Sequence, residues 1–418
     1  MELATAVTGQ QSNWKVRFFG IWTGQALSIM GSSIATFALI WWVTKATGSA
    51  TVLATATLVS TLPGVFLGPL AGAVVDRSNR RLVMIVADGA IALLSAWLAY
   101  LFWSGAMRPW HVYIIMLARA VGGSFHTPAM QASTSLMVPR EHLSRVAGLN
   151  HTLQGTVSIL GPPLGALLLG LLPLHGIMAI DVVTAAFAIG PLSVLSIPQP
   201  PPLAATGLGK PTLLQDMSGG LRYVRAWPGL AMLMGMFTFM YLCSGLAAAL
   251  NPLLVTRHFR GGALQLGSLE SAWGIGVVAG GVVMSAWAGF KRRMVTVLVG
   301  VVGLGLSLTL VGLAPASVFW LALVAMVANG ISTSVAASPL VAVLQATIEP
   351  AMQGRVIALW VSVTSAAVPV SLVVAGPVAD AVGVNAWYVF GGIMTTLAGL
   401  AGFLLRPVLH LEDGHPGK

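Results

Sequence analysis

Twelve apolar runs of about 20 residues, set apart by short polar gaps, constrain this chain more than any other feature. They fall at roughly 18–43, 51–75, 82–104, 111–135, 147–172 and 175–197, then at 229–255, 265–290, 294–314, 317–343, 355–380 and 386–405. About 20 apolar residues in helical geometry cross the hydrocarbon core of a bilayer. FFGIWTGQALSIMGSSIATFALIWWV (18–43) is too long and too free of charge to be the buried core helix of a soluble domain. Only 8% of the 418 residues are charged, about a third of the usual share in soluble domains. The expected fold is an all-α membrane protein of twelve transmembrane helices in two six-helix bundles.

The bundles are expected at residues 1–197 and 229–418, joined by a cytosolic linker at 198–228. That linker, PQPPPLAATGLGKPTLLQDMSGGLRYVRAWP, begins rich in proline and then acquires helical periodicity. Leu213, Leu214, Met217, Leu221 and Val224 recur on one face, opposite Asp216, Arg222 and Arg225. Such an amphipathic helix is expected to lie on the membrane surface.

Lysine and arginine set the orientation, because cytosolic loops retain them. With the N-terminus inside, sixteen bases fall on the cytosolic side and only Lys45, Arg108, Arg257 and Arg260 outside. Both termini are therefore expected in the cytosol, in a bacterial inner membrane. The start, MELATAVTGQQSNWKVR, lacks the order of a cleavable signal, so the first span is expected to be retained. The net charge of +10 sits in short gaps and forms no basic face, so nucleic acid is not an expected partner. The single cysteine, Cys243, allows neither a disulfide frame nor a cysteine-based metal site, and neither metal nor cofactor is expected.

The halves echo each other. RVAGL (145–149) opens span 5 and RVIAL (355–359) opens span 11; SNRR (78–81) follows span 2 and FKRR (290–293) follows span 8. Asp76 then aligns with Ala288, leaving that acid to the first half alone. Parallel repeats of this kind build one class of transporter, with the substrate site between the halves. Small residues recur on spans 2, 5, 8 and 11: Gly64, Gly68 and Gly72; Gly161 and Gly165; Gly276 and Gly280; Ala375, Ala379 and Gly383. Such faces let helices approach closely, and their recurrence suggests an interface along which the halves slide.

GPLAGAVVDRSNRR (68–81) resembles the loop signature of the major facilitator superfamily, with Gly68, Gly72, Asp76, Arg77, Arg80 and Arg81 at the matching positions. Ser78-Asn79 stands where that family usually has glycine. LARAVGG (117–123) is similar to the family's intramembrane arginine and glycine, at Arg119 and Gly123, and GPPLG (161–165) to its antiporter Gly-Pro element. VADGA in span 3, HTPAMQAS followed by VPREHL at the end of span 4, and GGLRYVRAWPGL before span 7 resemble the macrolide-efflux and enterobactin-exporter branch of twelve-span drug:proton antiporters. The resemblance implies that spans 1, 4, 7 and 10 line a cavity. It also implies that the 68–81 motif gates the cytosolic side, with Asp76 expected to face the positively polarised start of span 11.

Ionisable groups inside a span are costly and point to function. Counting about 1.5 Å per residue places Arg119 roughly 12 Å below the outer surface, with Asp181 and Glu270 shallower and Asp88 near the cytosolic side. Asp88, Asp181 and Glu270 are the proton-coupling candidates. Arg119 and His126 share a face of span 4 and join Trp22, Gln25, Tyr241, Asn251 and Asn329 as substrate-cavity candidates.

No Gly-x4-Gly-Lys-Ser/Thr phosphate loop, His-Glu-x-x-His or Gly-x-Ser-x-Gly is present, which argues against an ATP-driven pump and against hydrolase chemistry. The expected function is proton-coupled efflux of small amphipathic molecules by alternating access, as a monomer in the lipid bilayer. Transport of one metabolite, siderophore or lipid is the alternative, and a non-transporting sensor the more distant one.

Overall fold

The structure is a computed structural model that describes residues 14–197, 213–245 and 247–413; the side chains of a few helical residues, Asp76 among them, also lie outside the described set. Helices start and stop where the apolar runs do. The first six are α1 (Trp14–Thr47), α2 (Ala50–Arg77), α3 (Arg80–Trp103), α4 (Pro109–Met137), α5 (Leu143–Leu171) and α6 (Leu174–Val194). Then come α7 (Leu213–Ala226), α8 (Pro228–Ser244), α9 (Ala247–Leu253), α10 (Ala263–Trp287), α11 (Arg293–Leu313), α12 (Phe319–Thr347), α13 (Pro350–Val382), α14 (Val384–Leu404) and the short α15 (Arg406–Leu409). Span 7 thus runs through α8 and α9 and closes on a π-helical turn, Leu254–His258.

Among the described residues eleven helical stretches are long and apolar enough to cross a membrane. Helix α4 is long enough, at 29 residues, but Arg119, His111, His126 and its hydroxyl residues dilute its apolar character.

The chain divides into two compact units. Residues 1–47 and 56–206 form the first, 48–55 and 207–418 the second. In the first unit α6 packs on α1 and α3, and α3 also on α4. The α1–α6 crossing is tight because Gly24 and Gly31 present bare backbone: an added Cβ would strike the Phe187 carbonyl and the Thr184 side chain. A core of Phe18, Ile21, Met84, Ala129 and Leu192 closes one end. In the second unit α12 packs on α10 and α11, α11 also on α14, and α13 on α8. Trp227, Leu230, Leu233, Phe237, Met294 and Val297 form its core.

The proline-rich stretch 198–212 lies outside the described residues. Helix α7 forms as expected, but its neighbour is a helix as well as any membrane surface. Val224 is buried in the second unit's core, and Gly220 lies so close to α13 that a Cβ would sit 3.1 Å from the Arg355 carbonyl oxygen. Glycine at 220 is what allows that approach.

Candidate functional site

Two charged hubs lie inside the first unit, both built on α4. The deeper one joins four helices. The Arg119 guanidinium forms an ion pair with Asp181 on α6 and donates to Ser95 Oγ on α3 at 3.1 Å and to the Ser32 carbonyl on α1 at 3.3 Å. Asp181 is fully buried. Its carboxylate also accepts from Ser32 Oγ at 2.8 Å and Ser95 Oγ at 2.5 Å. A buried carboxylate is tolerable only when paired and hydrogen-bonded, and Asp181 meets both conditions. Every donor is fixed on a packed helix, so this hub holds α1, α3, α4 and α6 together around one ion pair.

The second hub lies two turns further along α4, about 10 Å away. His126 Nε2 is 3.3 Å from Asp88 Oδ1 on α3, without the alignment of a hydrogen bond. Gln25 Nε2 on α1 donates to Asp88 Oδ2 at 2.8 Å. Gln25 and Asp88 are both buried, at 3% and 6% exposure. Here the partner is not an arginine, which is always charged, but a histidine, the side-chain type that gains and loses a proton near neutral pH. Neither pairing is legible from sequence spacing, because each joins helices dozens of residues apart.

The other first-unit candidates have definite places. Trp22 Nε1 donates to Asn150 Oδ1 on α5 at 2.8 Å; sequence reasoning missed Asn150. In the 68–81 motif the Asn79 side chain caps α3 by accepting from the backbone N–H groups of Arg81 and Leu82. Arg81 donates to the carbonyls of Leu192 and Ser193 at the C-terminus of α6, where a cation complements the helix dipole. Arg80 is buried and Arg77 is exposed. The Asp76 side chain, and with it the expected approach to span 11, lies outside the described residues.

In the second unit Glu270 is half-buried on α10. The Tyr388 hydroxyl lies 2.6 Å from both the Ala247 carbonyl and Asn251 Oδ1, so buried Asn251 is engaged with α14. Asn329 donates to Ser307 Oγ at 2.9 Å and to the Leu304 carbonyl at 3.2 Å, which ties α12 to α11. Tyr241 is 39% exposed.

The small-residue faces are occupied inside their own units. Gly161 and Gly165 seat Ser33 and Phe37 of α1, while Gly276 and Gly280 seat Val327 and Ile331 of α12. Their shared spacing comes from close packing within each unit and does not leave those faces free for the expected sliding. Gly64, Gly68 and Gly72 meet nothing within 4 Å. Ala375 and Ala379 are buried.

Two packed units of helices, most of them long and apolar enough to cross a membrane and the first holding buried ion pairs, have the architecture of the major facilitator fold. Solved structures share that fold: a POT family transporter at TM-score 0.71 and 12% identity, covering 93% of this chain and 96% of that one, and a D-xylose–proton symporter at TM-score 0.69 and 13% identity, covering 94% and 98%. A family model described as transmembrane secretion effector matches residues 13–414, and the chain belongs to that family of the major facilitator superfamily. It is 33% identical over 392 residues to Macrolide efflux protein A of Streptococcus pyogenes, covering 92% of this chain and 94% of that protein. It is 28% identical over 401 residues to Multidrug efflux pump Tap of Mycolicibacterium fortuitum, covering 91% and 94%.

Proposed function

We propose that this transporter exports amphipathic organic molecules, macrolides among them, across a bacterial cytoplasmic membrane in exchange for protons. It works as a monomer by alternating access, with both termini in the cytosol. Similarity across nine-tenths of the chain to a macrolide efflux protein and a multidrug pump supports the substrate class. The sixteen-to-four distribution of basic residues supports the orientation. The 68–81 motif is read as the gate of the cytosolic side, with Asp76 as its asymmetric element.

The observation that carries proton coupling is the Asp88–His126 pair held by Gln25. Asp181 is saturated by a permanent cation and two hydroxyls, so protonating it would strand the Arg119 charge. Asp88 has a histidine beside it instead of an arginine, so proton exchange at this site would break no arginine ion pair. Gln25 on span 1 and His126 on span 4 connect that event to two helices of the presumed cavity.

Proteoliposomes loaded with a pH dye test the reading. An imposed macrolide gradient should drive proton flux in the native protein. Asp88→Asn and His126→Gln should each abolish the flux while macrolide still binds, measured by tryptophan fluorescence. If flux disappears only in Glu270→Gln, the carrier lies in the second unit. Transport without any proton flux would remove coupling altogether.

A further inference from the structure

The last described residues of the chain, RPVLHLED (406–413), do more than end span 12. Val408 on α15 and Leu411, which opens the 3-10 turn after it, stand three residues apart and are both buried in the second unit's core. Gly229 at the start of α8 leaves room for the Pro407 carbonyl. Two polar residues of the same segment reach the start of α11. Arg292, at the N-cap position of that helix, offers it no side-chain cap. Glu412 Oε2 instead accepts from the Arg293 N–H at 3.0 Å. A carboxylate there satisfies one of the free N–H groups of the first turn and complements the helix dipole.

His410 makes the second fastening, and its ring is held from both sides. Nδ1 lies 3.0 Å from the Arg406 carbonyl, and Nε2 lies 3.0 Å from an Arg292 guanidinium nitrogen. A carbonyl only accepts, so Nδ1 carries the ring proton; a guanidinium only donates, so Nε2 is bare. This is one tautomer of the neutral ring, and a doubly protonated imidazole cannot make both contacts. Its second N–H would point at the Arg292 N–H, cation against cation. The other charged groups of the cluster are Lys291 and Arg293 at the start of α11, and Arg406, Glu412 and Asp413 on the segment itself. The first turn of α8 and the last turns of α12 and α14, which pack against the segment, carry no charged residue. The cluster therefore already holds more positive than negative charge. Without the Arg292 bond, Glu412 and two apolar side chains are left to hold the segment in place.

Histidine is the side chain that gains and loses a proton near neutral pH. We propose that residues 406–413 form a proton-sensitive clasp over the start of α11, closed on a neutral His410 and loosened when that ring is protonated, so that export slows as the cytosol acidifies. The clasp lies wholly within the second unit; its cytosolic placement and its effect on export rest on the orientation and substrate readings above.

The test places a nitroxide at Asp413→Cys, an exposed position, in a Cys243→Ser background. In detergent, lowering the pH from about 8 to about 5.5 should raise the ratio of mobile to immobile label about fivefold, the effect of losing one hydrogen bond. His410→Gln should abolish that response. Arg292→Gln should show the same rise already at about pH 8. His126→Gln should leave the response intact, which separates the clasp from the proposed coupling site. A native spectrum indifferent to pH, an equal response in His410→Gln, an immobile label in Arg292→Gln or a response lost in His126→Gln would each overturn the proposal. Transport supplies a second measurement, in proteoliposomes held at a fixed pH difference. Acidifying the side that carries the C-terminus should slow macrolide efflux by the native protein more than by His410→Gln, and equal slowing would also overturn it. If the label responds as expected yet neither protein moves macrolide, the substrate reading fails and the clasp stands.

Discussion

At the scale of single residues, Arg119 separates what sequence can and cannot reveal. An arginine in the middle of an apolar run is conspicuous, and so are Asp88 and Asp181; their cost in lipid marks them without any structure. What the run cannot reveal is the pairing. Arg119 belongs with Asp181 and His126 with Asp88, although Asp88 is nearer to Arg119 in the chain than Asp181 is. Helix rotation and crossing decide this. The consequence is measurable. Arg119→Ala leaves the Asp181 charge buried with only two hydroxyls, and should destabilise the first unit by about 3–5 kcal/mol. Adding Asp181→Asn removes the stranded charge, so the double variant should recover part of that loss. Thermal unfolding in detergent, followed by tryptophan fluorescence, checks both. A double variant less stable than Arg119→Ala would mean that the carboxylate has another partner.

At the scale of elements, the helices were readable because a bilayer leaves the backbone no alternative: every N–H and C=O must be satisfied within its own segment. The end of each apolar run is therefore the end of a helix to within a few residues. The packing was less readable, because a small-residue stripe looks the same whether it seats a neighbour permanently or glides past one. Gly276 seats the backbone of α12 so closely that a Cβ would collide with the Val327 carbonyl, whereas Gly64 has nothing within 4 Å. Gly276→Ala should destabilise the second unit by about 1–3 kcal/mol through forced separation of α10 and α12. Gly64→Ala should cost nothing, and the better helix propensity of alanine acts in its favour. Melting temperatures of the two variants decide the matter. Equal stability would mean that α10 and α12 separate at little cost.

At the scale of the whole molecule, the repeat in the sequence and the division of the structure disagree instructively over eight residues. The repeat puts every residue before the linker in the first half, while residues 48–55 cluster with the second unit. Connectivity and packing part company there because the Asp380 carboxylate, which accepts from the Ala50 and Thr51 N–H groups, and the space at Gly376 outweigh the chain's local continuity. Each unit otherwise carries its own buried core, around Phe18 and Met84 in one and Leu233 and Met294 in the other. Breaking the chain between Thr206 and Gly207 should therefore leave two fragments that fold when co-expressed and together confer macrolide resistance on a susceptible host, with neither active alone. The cut leaves residues 48–55 covalently on the first fragment and their packing partners on the second. Reassembly must then rely on non-covalent contacts that the intact chain supports by tethering. Asp380→Ala should accordingly lower resistance in the split protein more than in the unbroken one, read as the minimum inhibitory concentration of a macrolide at matched expression. An equal loss in both would place the contribution of Asp380 in transport alone, with none in holding the fragments together.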